Sequence, residues 1–318
     1  MSRAFIFPGQ GAQTIGMGKE LADSYPAARA VFDEVDDALG EKLSALIWDG
    51  DADELTLTRN AQPALMATSM AVIKALGAEG VGVDAAAFVA GHSLGEYSAL
   101  AATGALGLAD TARLLRLRGE AMQAAVPVGT GAMAALLGMD FATATDVTAE
   151  AAEGEVCQAA NDNDPTQVVI SGHRGAVERA VNIAKERGAK RAVMLPVSAP
   201  FHCALMAPAA ERMAEALADV AIAAPLRPLI ANVTAGPATD PDEIRRLLVA
   251  QVTGSVRWRE SVAAMLAAGV GEFWEIGAGK ALSGMVRRVD RAATTRAVGM
   301  PADVAAAAAA AGTEFGSG

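Results

Sequence analysis

Ala90-Gly91-His92-Ser93-Leu94-Gly95-Glu96-Tyr97-Ser98-Ala99 is the stretch on which the architecture turns. An apolar run from Asp84 to Gly91 reads as a buried strand, and a helix follows from about Leu94 to Ala102. Between them lies G-x-S-x-G, the pattern of a serine lifted above a sheet on a sharp strand-to-helix turn. Glycines two residues to either side let the backbones pass closely. The helix N-terminus at Leu94 adds free N–H groups and a positive dipole end, which suit a developing oxyanion.

The same alternation extends outward. Ala4-Phe5-Ile6-Phe7 is a short apolar strand stopped by Pro8-Gly9-Gln10-Gly11. A helix is expected from Lys19 to Leu39. Another should carry Pro63 in its first turn, with Leu65, Met66, Met70, Ile73 and Leu76 on its apolar side. Strands separated from helices by Gly turns imply an α/β fold, a mostly parallel sheet with helices on both faces. The middle reads differently: strand Ala132–Leu137, helix Ala142–Ala152, strand Val156–Ala160, strand Gln167–Ser171, helix Val177–Arg187 and strand Arg191–Val197. That is the ferredoxin-like α+β order, with Asn161-Asp162-Asn163-Asp164-Pro165 read as a loop. Residues 127–197 are thus expected to form an inserted subdomain, and 1–126 with 198–318 a hydrolase-like catalytic domain. In the second half helices are expected at Ala204–Ala218, Asp242–Gln251 and Arg259–Ala268, and strands at Leu229–Val233 and Glu272–Ile276.

Composition narrows the function. Of 318 residues 52% are hydrophobic and 20% charged, enough apolar material for a sizeable core. Lys and Arg number 26 against 37 Asp and Glu, a net charge of -11, and aromatics make up 4%. Nucleic-acid binding is therefore not expected, because it needs a basic face and stacking rings. Cys157 and Cys203 are too few for a disulfide framework or a four-ligand zinc site. No stretch reaches the ~18 apolar residues of a membrane span, and Ala4–Phe7 is too short for a signal-peptide core. A soluble protein of a reducing compartment, the cytoplasm, is the expectation.

A serine nucleophile needs a base, and the histidines are His92, His173 and His202. His92 adjoins Ser93, so their side chains diverge in a tight turn; it is expected to pack beneath the serine. His173 precedes a helix of the insert and reads as a cap or surface residue. His202 stands where the chain re-enters the large domain, and elimination selects it. Cys203 has no elbow around it and is rejected as nucleophile. Gly9-Gln10-Gly11 is not a dinucleotide fingerprint. Gly277-Ala278-Gly279-Lys280 lacks the P-loop's Ser or Thr, with Ala281 in that place.

Phe7-Pro8-Gly9-Gln10-Gly11, Gln62-Pro63-Ala64-Leu65, Gly91-His92-Ser93-Leu94-Gly95-Glu96-Tyr97-Ser98-Ala99 and His202-Cys203-Ala204-Leu205-Met206 occur here in order. Together they resemble the malonyl-CoA:acyl-carrier-protein transacylases of bacterial type II fatty-acid synthesis, from residue 4 to about 300. The resemblance implies a malonyl ester on Ser93, His202 as base and then acid, and an oxyanion hole from the backbone N–H groups of Gln10 and Leu94. It implies that the Gln251 carbonyl orients His202, and that Arg118 grips the free malonyl carboxylate. Met122 would line the pocket, and Asn161 would reach the substrate. Arg suits its task because its planar fork meets a carboxylate bidentately and stays charged. Malonyl-CoA and acyl carrier protein are the implied partners of a monomer. No cofactor or metal is implied, since the CoA thioester enters as substrate.

The chain departs from the family at Ala278, where Pro is usual, and at Phe201, where free-standing members often carry Ser. The Phe201-His202 pair resembles malonyl-using polyketide synthase modules and so favours malonyl over a branched unit; a stand-alone polyketide acyltransferase, built from the same parts, is an alternative. A serine thioesterase or esterase and a non-catalytic carrier-binding module are the others. An acidic carrier protein would need a local basic patch, and Lys190-Arg191 and Arg287-Arg288 offer themselves. The tail from Ala302 to Gly318 has no counterpart in the resemblance.

Overall fold

A computed structural model describes residues 2–197 and 199–315. Strand β1 (Ser2–Phe7) shows why the fold is layered. Phe5 and Phe7 join one apolar core while Ala4 and Ile6 join another on the opposite face, all four fully buried. A continuous apolar run is what a strand covered on both faces requires.

The remaining strands are β2 (Phe88–Gly91), β3 (Gly131–Leu137), β4 (Cys157–Asp164), β5 (Gln167–His173), β6 (Arg191–Met194), β7 (Leu229–Ile230), β8 (Pro237–Ala238), β9 (Val270–Ile276) and β10 (Thr294–Val298). They form a six-stranded sheet in the order β10-β9-β1-β2-β7-β8 and a four-stranded sheet in the order β4-β5-β3-β6. The first is parallel apart from the β7–β8 pair. The second is antiparallel throughout and keeps its own apolar core. This is the α/β sheet and ferredoxin-like insert expected from the sequence.

Register sets up the functional edge. Phe7 of β1 pairs with Gly91 of β2, and the His92 N–H donates to the Phe7 carbonyl at 3.0 Å. The Pro8-Gly9-Gln10 loop and the serine turn therefore leave the carboxyl edge of the sheet side by side, where α/β folds build their sites. Beyond them β7 pairs with Ala90 through Ile230 and brings Asn232 to the same edge.

Several local expectations are corrected. The helix read over 19–39 is two, Lys19–Ser24 and Pro26–Leu39, because Tyr25 precedes Pro26 and is held extended. Pro63 lies inside a helix that already begins at Thr58 and runs to Ala78. Sixteen of its 21 residues are buried, so packing on every side outweighs the hydrogen bond Pro63 cannot make. The strand read over 84–91 is a short turn of 3-10 helix, Val83–Ala85, followed by β2.

The largest correction is at Asn161-Asp162-Asn163-Asp164, read as a loop and found to be the end of β4, with all four residues buried. Their polar groups have partners in the large domain. The Asp162 N–H donates to the Val256 carbonyl at 2.9 Å, and the Val256 N–H to the Ala160 carbonyl at 2.8 Å. Arg259 pairs with Asp162 and Arg288 with Asp164. Polar composition signalled a loop; tertiary partners made it a strand. Arg288 thus spends its Nε–H on this clamp while its side chain stays half exposed.

The tail forms helix Pro301–Phe315, with Val304, Ala307 and Ala311 buried against the main core. Gly316–Gly318 lie outside the described residues. No helix among the described residues is long and apolar enough to cross a membrane.

Candidate active site

Ser93 adopts φ 54°, in the left-handed region that costs a non-glycine residue strain. Its neighbours explain how that conformation is imposed. A Cβ at Gly91 would lie 1.9 Å from the Gly95 carbonyl, and one at Gly95 would lie 2.3 Å from the Phe7 carbonyl oxygen. Strand and helix thus approach too closely for any side chain there, and the serine between them is pushed outward. Asn232 fixes the turn: its Oδ1 accepts the Ser93 N–H at 2.8 Å and its Nδ2 donates to the Gly91 carbonyl at 2.7 Å.

His202 arrives from 109 residues away, also with positive φ, 57°. Its Nδ1–H donates to the Gln251 backbone carbonyl at 2.9 Å, which leaves the Nε2 lone pair facing Ser93 Oγ at 2.8 Å. The ring is almost fully buried. Desolvation first, and the Arg118 cation second, hold its pKa down to about 3. At neutral pH it is an uncharged imidazole, ready to take the hydroxyl proton.

Arg118 sits on helix Leu108–Ala124 and is 1% exposed. Gly119 lets that helix close on Thr58–Ala78, since a Cβ there would stand 2.6 Å from Arg59 Cα. Arg118 Nη1 donates to Gln62 Oε1 at 2.8 Å; Nη2 donates to Gln251 Oε1 at 2.7 Å and to Ser93 Oγ at 3.1 Å. Its Nε–H is buried without an acceptor among the described residues. A buried cation with an unused donor beside a nucleophile is a place for an anionic group of a ligand.

Ser93, His202, Gln251 and Arg118, chosen from the sequence, therefore meet at one point. Met122 stands behind them, its Sδ 3.9 Å from Gln62 Nε2. Leu94 precedes helix Gly95–Ala102, and neither its N–H nor that of Gln10 has an acceptor among the described residues. The Gln10 side chain turns to Thr58 Oγ1 at 3.2 Å. Asn161 bridges to Val256 through its backbone, and among the described residues no side-chain hydrogen bond joins it to this cluster.

Asn163 reaches the serine turn instead, taking the Nε2–H of His92 at 2.8 Å. His92 is thus occupied beneath the elbow. His173 Nδ1 accepts the Val156 N–H at 2.9 Å, a structural bond. Cys203 is buried with its thiol on the Pro200 carbonyl, and burial raises its pKa, so it is no nucleophile. The helix after Gly279-Lys280 has its first N–H groups taken by the buried Glu275 carboxylate, at 3.0 Å from Leu282 N and 2.7 Å from Ser283 N. No phosphate is needed there. Among the described residues no cluster of His, Cys, Asp or Glu could hold a metal.

Sequence reasoning gave no role to Glu96 or Asn232, and quoted Gln62 only as part of a motif. Glu96 was visible in the elbow stretch, yet its task depends on partners at 232 and 251 that no spacing rule predicts.

Comparison with known proteins identifies the family. Residues 4–310 match the family described as the acyl transferase domain, so the match runs into the tail helix. The chain is 52% identical over 299 residues to the malonyl CoA-acyl carrier protein transacylase of Bacillus subtilis strain 168, covering 94% of this chain and 93% of that one. The crystal structure of an acyl-carrier-protein-S-malonyltransferase from Bartonella henselae superposes with TM-score 0.96 at 56% identity, over 98% of this chain and all of that one. A malonyl-transacylase solved in complex with its type II PKS acyl-carrier protein superposes with TM-score 0.95 at 41% identity, covering 98% of this chain and 100% of that one.

Proposed function

The chain belongs to the acyl transferase domain family, and from that premise we propose that it moves the malonyl group of malonyl-CoA onto the phosphopantetheine thiol of an acyl carrier protein, supplying fatty-acid elongation. The observation that carries this reading is the buried Arg118 guanidinium, 3.1 Å from Ser93 Oγ and with an unused Nε–H. An acyl group bearing a free carboxylate offers an acceptor for that N–H; an acetyl group does not.

Ser93 Oγ attacks the thioester carbonyl as its proton passes to His202 Nε2. The tetrahedral oxyanion takes the N–H groups of Gln10 and Leu94, each worth about 3–4 kcal/mol by the general behaviour of such donors. The C–S bond breaks, and the His202 proton leaves with the CoA sulfur. The carrier thiol then gives its proton to His202 and attacks the ester carbonyl; the C–O bond breaks and Ser93 recovers the proton. The Gln251 carbonyl stands where a triad would place an acid, holding the imidazole tautomer without a negative charge. This scheme uses no metal or cofactor, and Met122 lines the acyl pocket.

Domain limits at 127 and 197, monomeric state and cytoplasmic location belong to the same proposal. A carrier protein of polyketide synthesis is the second reading, favoured by Phe201 and by the likeness to the complexed transacylase. A general esterase has no use for Arg118, and an inert carrier-binding module has none for a formed Ser93–His202 pair.

The test is intact-protein mass spectrometry after mixing with malonyl-CoA. A malonyl adduct is expected on the parent and absent from Ser93→Ala; equal labelling of both would overturn the assignment.

A further inference from the structure

Glu96 is 1% exposed and stands one amide group away from Arg118. Its Oε1 accepts the Asn232 N–H at 2.7 Å and its Oε2 accepts from Gln251 Nε2. The same Gln251 amide turns Oε1 to Arg118 Nη2 at 2.7 Å.

The orientation of that amide follows from its neighbours. Gln251 Nε2 faces the Ser93 carbonyl at 2.8 Å, the Glu96 carboxylate and Asn232 Oδ1 at 3.4 Å, all acceptors. The reversed amide would set oxygen against oxygens and an NH2 against a cation. Glu96 thus helps aim the acceptor that holds Arg118. It also balances that charge, since a lone buried guanidinium is costly.

A substrate carboxylate at Arg118 changes the balance. Two anions would then share one cation in a site of low dielectric, and one of them is favoured to become neutral. Burial already pushes the Glu96 pKa up to about 7, so the proton is gained near neutral pH. The other groups around this point are Arg118 itself, Tyr97 on the same helix, whose pKa burial drives far up, and His202, held low by burial and Arg118.

Building on the malonyl-transfer reading, we propose that Glu96 is a positioning residue that balances Arg118 in the empty site and takes up a solvent proton when a malonyl carboxylate occupies that guanidinium. The step forms one O–H bond on the Glu96 carboxylate and breaks none in the substrate. The proton returns to solvent when the acyl group leaves.

The experiment is calorimetry of malonyl-CoA addition in two buffers of different ionisation enthalpy, with intact mass read on the same samples. At pH 7 about half a proton is expected per malonyl adduct, rising with pH through a midpoint about 7, as for any single site. None is expected per acetyl adduct. Glu96→Gln should form the adduct without proton uptake, and Glu96→Asp, which keeps a carboxylate, should restore uptake with a shifted midpoint. Adduct without uptake in the parent overturns the proposal, as does uptake that survives in Glu96→Gln, which would assign the proton to His202. If Glu96→Gln fails to fold, the parent's pH dependence and Glu96→Asp decide alone. Absence of any adduct in the parent would instead sink the malonyl-transfer reading itself.

Discussion

The Nδ1–H of His202 donates to the backbone carbonyl of Gln251 at 2.9 Å, and this bond decides which ring nitrogen meets Ser93. A carbonyl dipole orients the ring as an aspartate would, but it adds little to imidazole basicity. With desolvation and Arg118 both opposing protonation, the group titrates far below an ordinary histidine.

That shift fixes a pH profile. The base form of His202 is present above its pKa of about 3, so single-turnover acylation should lose no rate to His202 protonation between pH 8 and 5. Stopped-flow rates across that range check this. An acid limb near 6.5 would show an ordinary, exposed imidazole. Replacing His202 by Ala should lower the rate about 10²–10⁴-fold, the usual contribution of a placed general base.

Arg118→Ala should separate substrates. Losing a buried charged partner for a carboxylate costs about 2–5 kcal/mol, or roughly 30- to 5,000-fold in kcat/KM. Malonyl transfer should fall by that much while acetyl transfer is nearly unchanged. Competition kinetics with both thioesters measure the ratio, and equal losses would remove the carboxylate role.

Glu96 gives a stability prediction of definite sign. Its folded pKa of about 7 lies above the unfolded value, so the group contributes stability below about 4.5 that is lost as pH rises through 7. His202 works oppositely: its lowered pKa contributes stability above about 6.5 that is lost as pH falls towards 3. The urea midpoint of the parent should therefore decline relative to Glu96→Gln between pH 5 and 8. A constant difference would mean that Glu96 keeps an ordinary carboxylate pKa.

The clamp between insert and large domain should be asymmetric. The Asp162 side chain is 1% exposed and that of Arg259 35%. Arg259→Ala strands a buried carboxylate and should cost about 3 kcal/mol, whereas Asp162→Asn leaves Arg259 access to water and should cost less than half of that. Thermal melts of the two variants give the comparison.

Gly91→Ala tests the elbow. The added Cβ would lie 1.9 Å from the Gly95 carbonyl, a backbone atom that cannot swing aside. A loss of about 3 kcal/mol or more, or no folded protein at all, is expected. A variant with the parent's melting temperature and activity would contradict the close approach.

How far the sequence carried can be seen residue by residue. The Gly91–Gly95 elbow, β1, and the succession of strands and helices in the insert were legible because they are local: sterics and short apolar runs act over a few neighbours. The helix read over 19–39 was misjudged in its middle, where the local signal of Tyr25 before Pro26 went unread, and the Pro63 helix at its start, where a packed environment overrides the local preference of proline. The tail helix was missed because its small residues show periodicity only against the helix they cover.

By itself, the sequence determined that a serine would stand on a strained turn over a parallel sheet, with His202 the base left after elimination. Resemblance to a family, not spacing, pointed to Arg118 and Gln251. The tertiary structure alone decided that positions 62, 93, 96, 118, 202, 232 and 251 share one buried network, and that Asn161–Asp164 is a docked strand end rather than a loop. The physical reason is one of range. Backbone sterics are written in adjacent residues, whereas a buried charge is tolerated only through partners that folding brings from far along the chain.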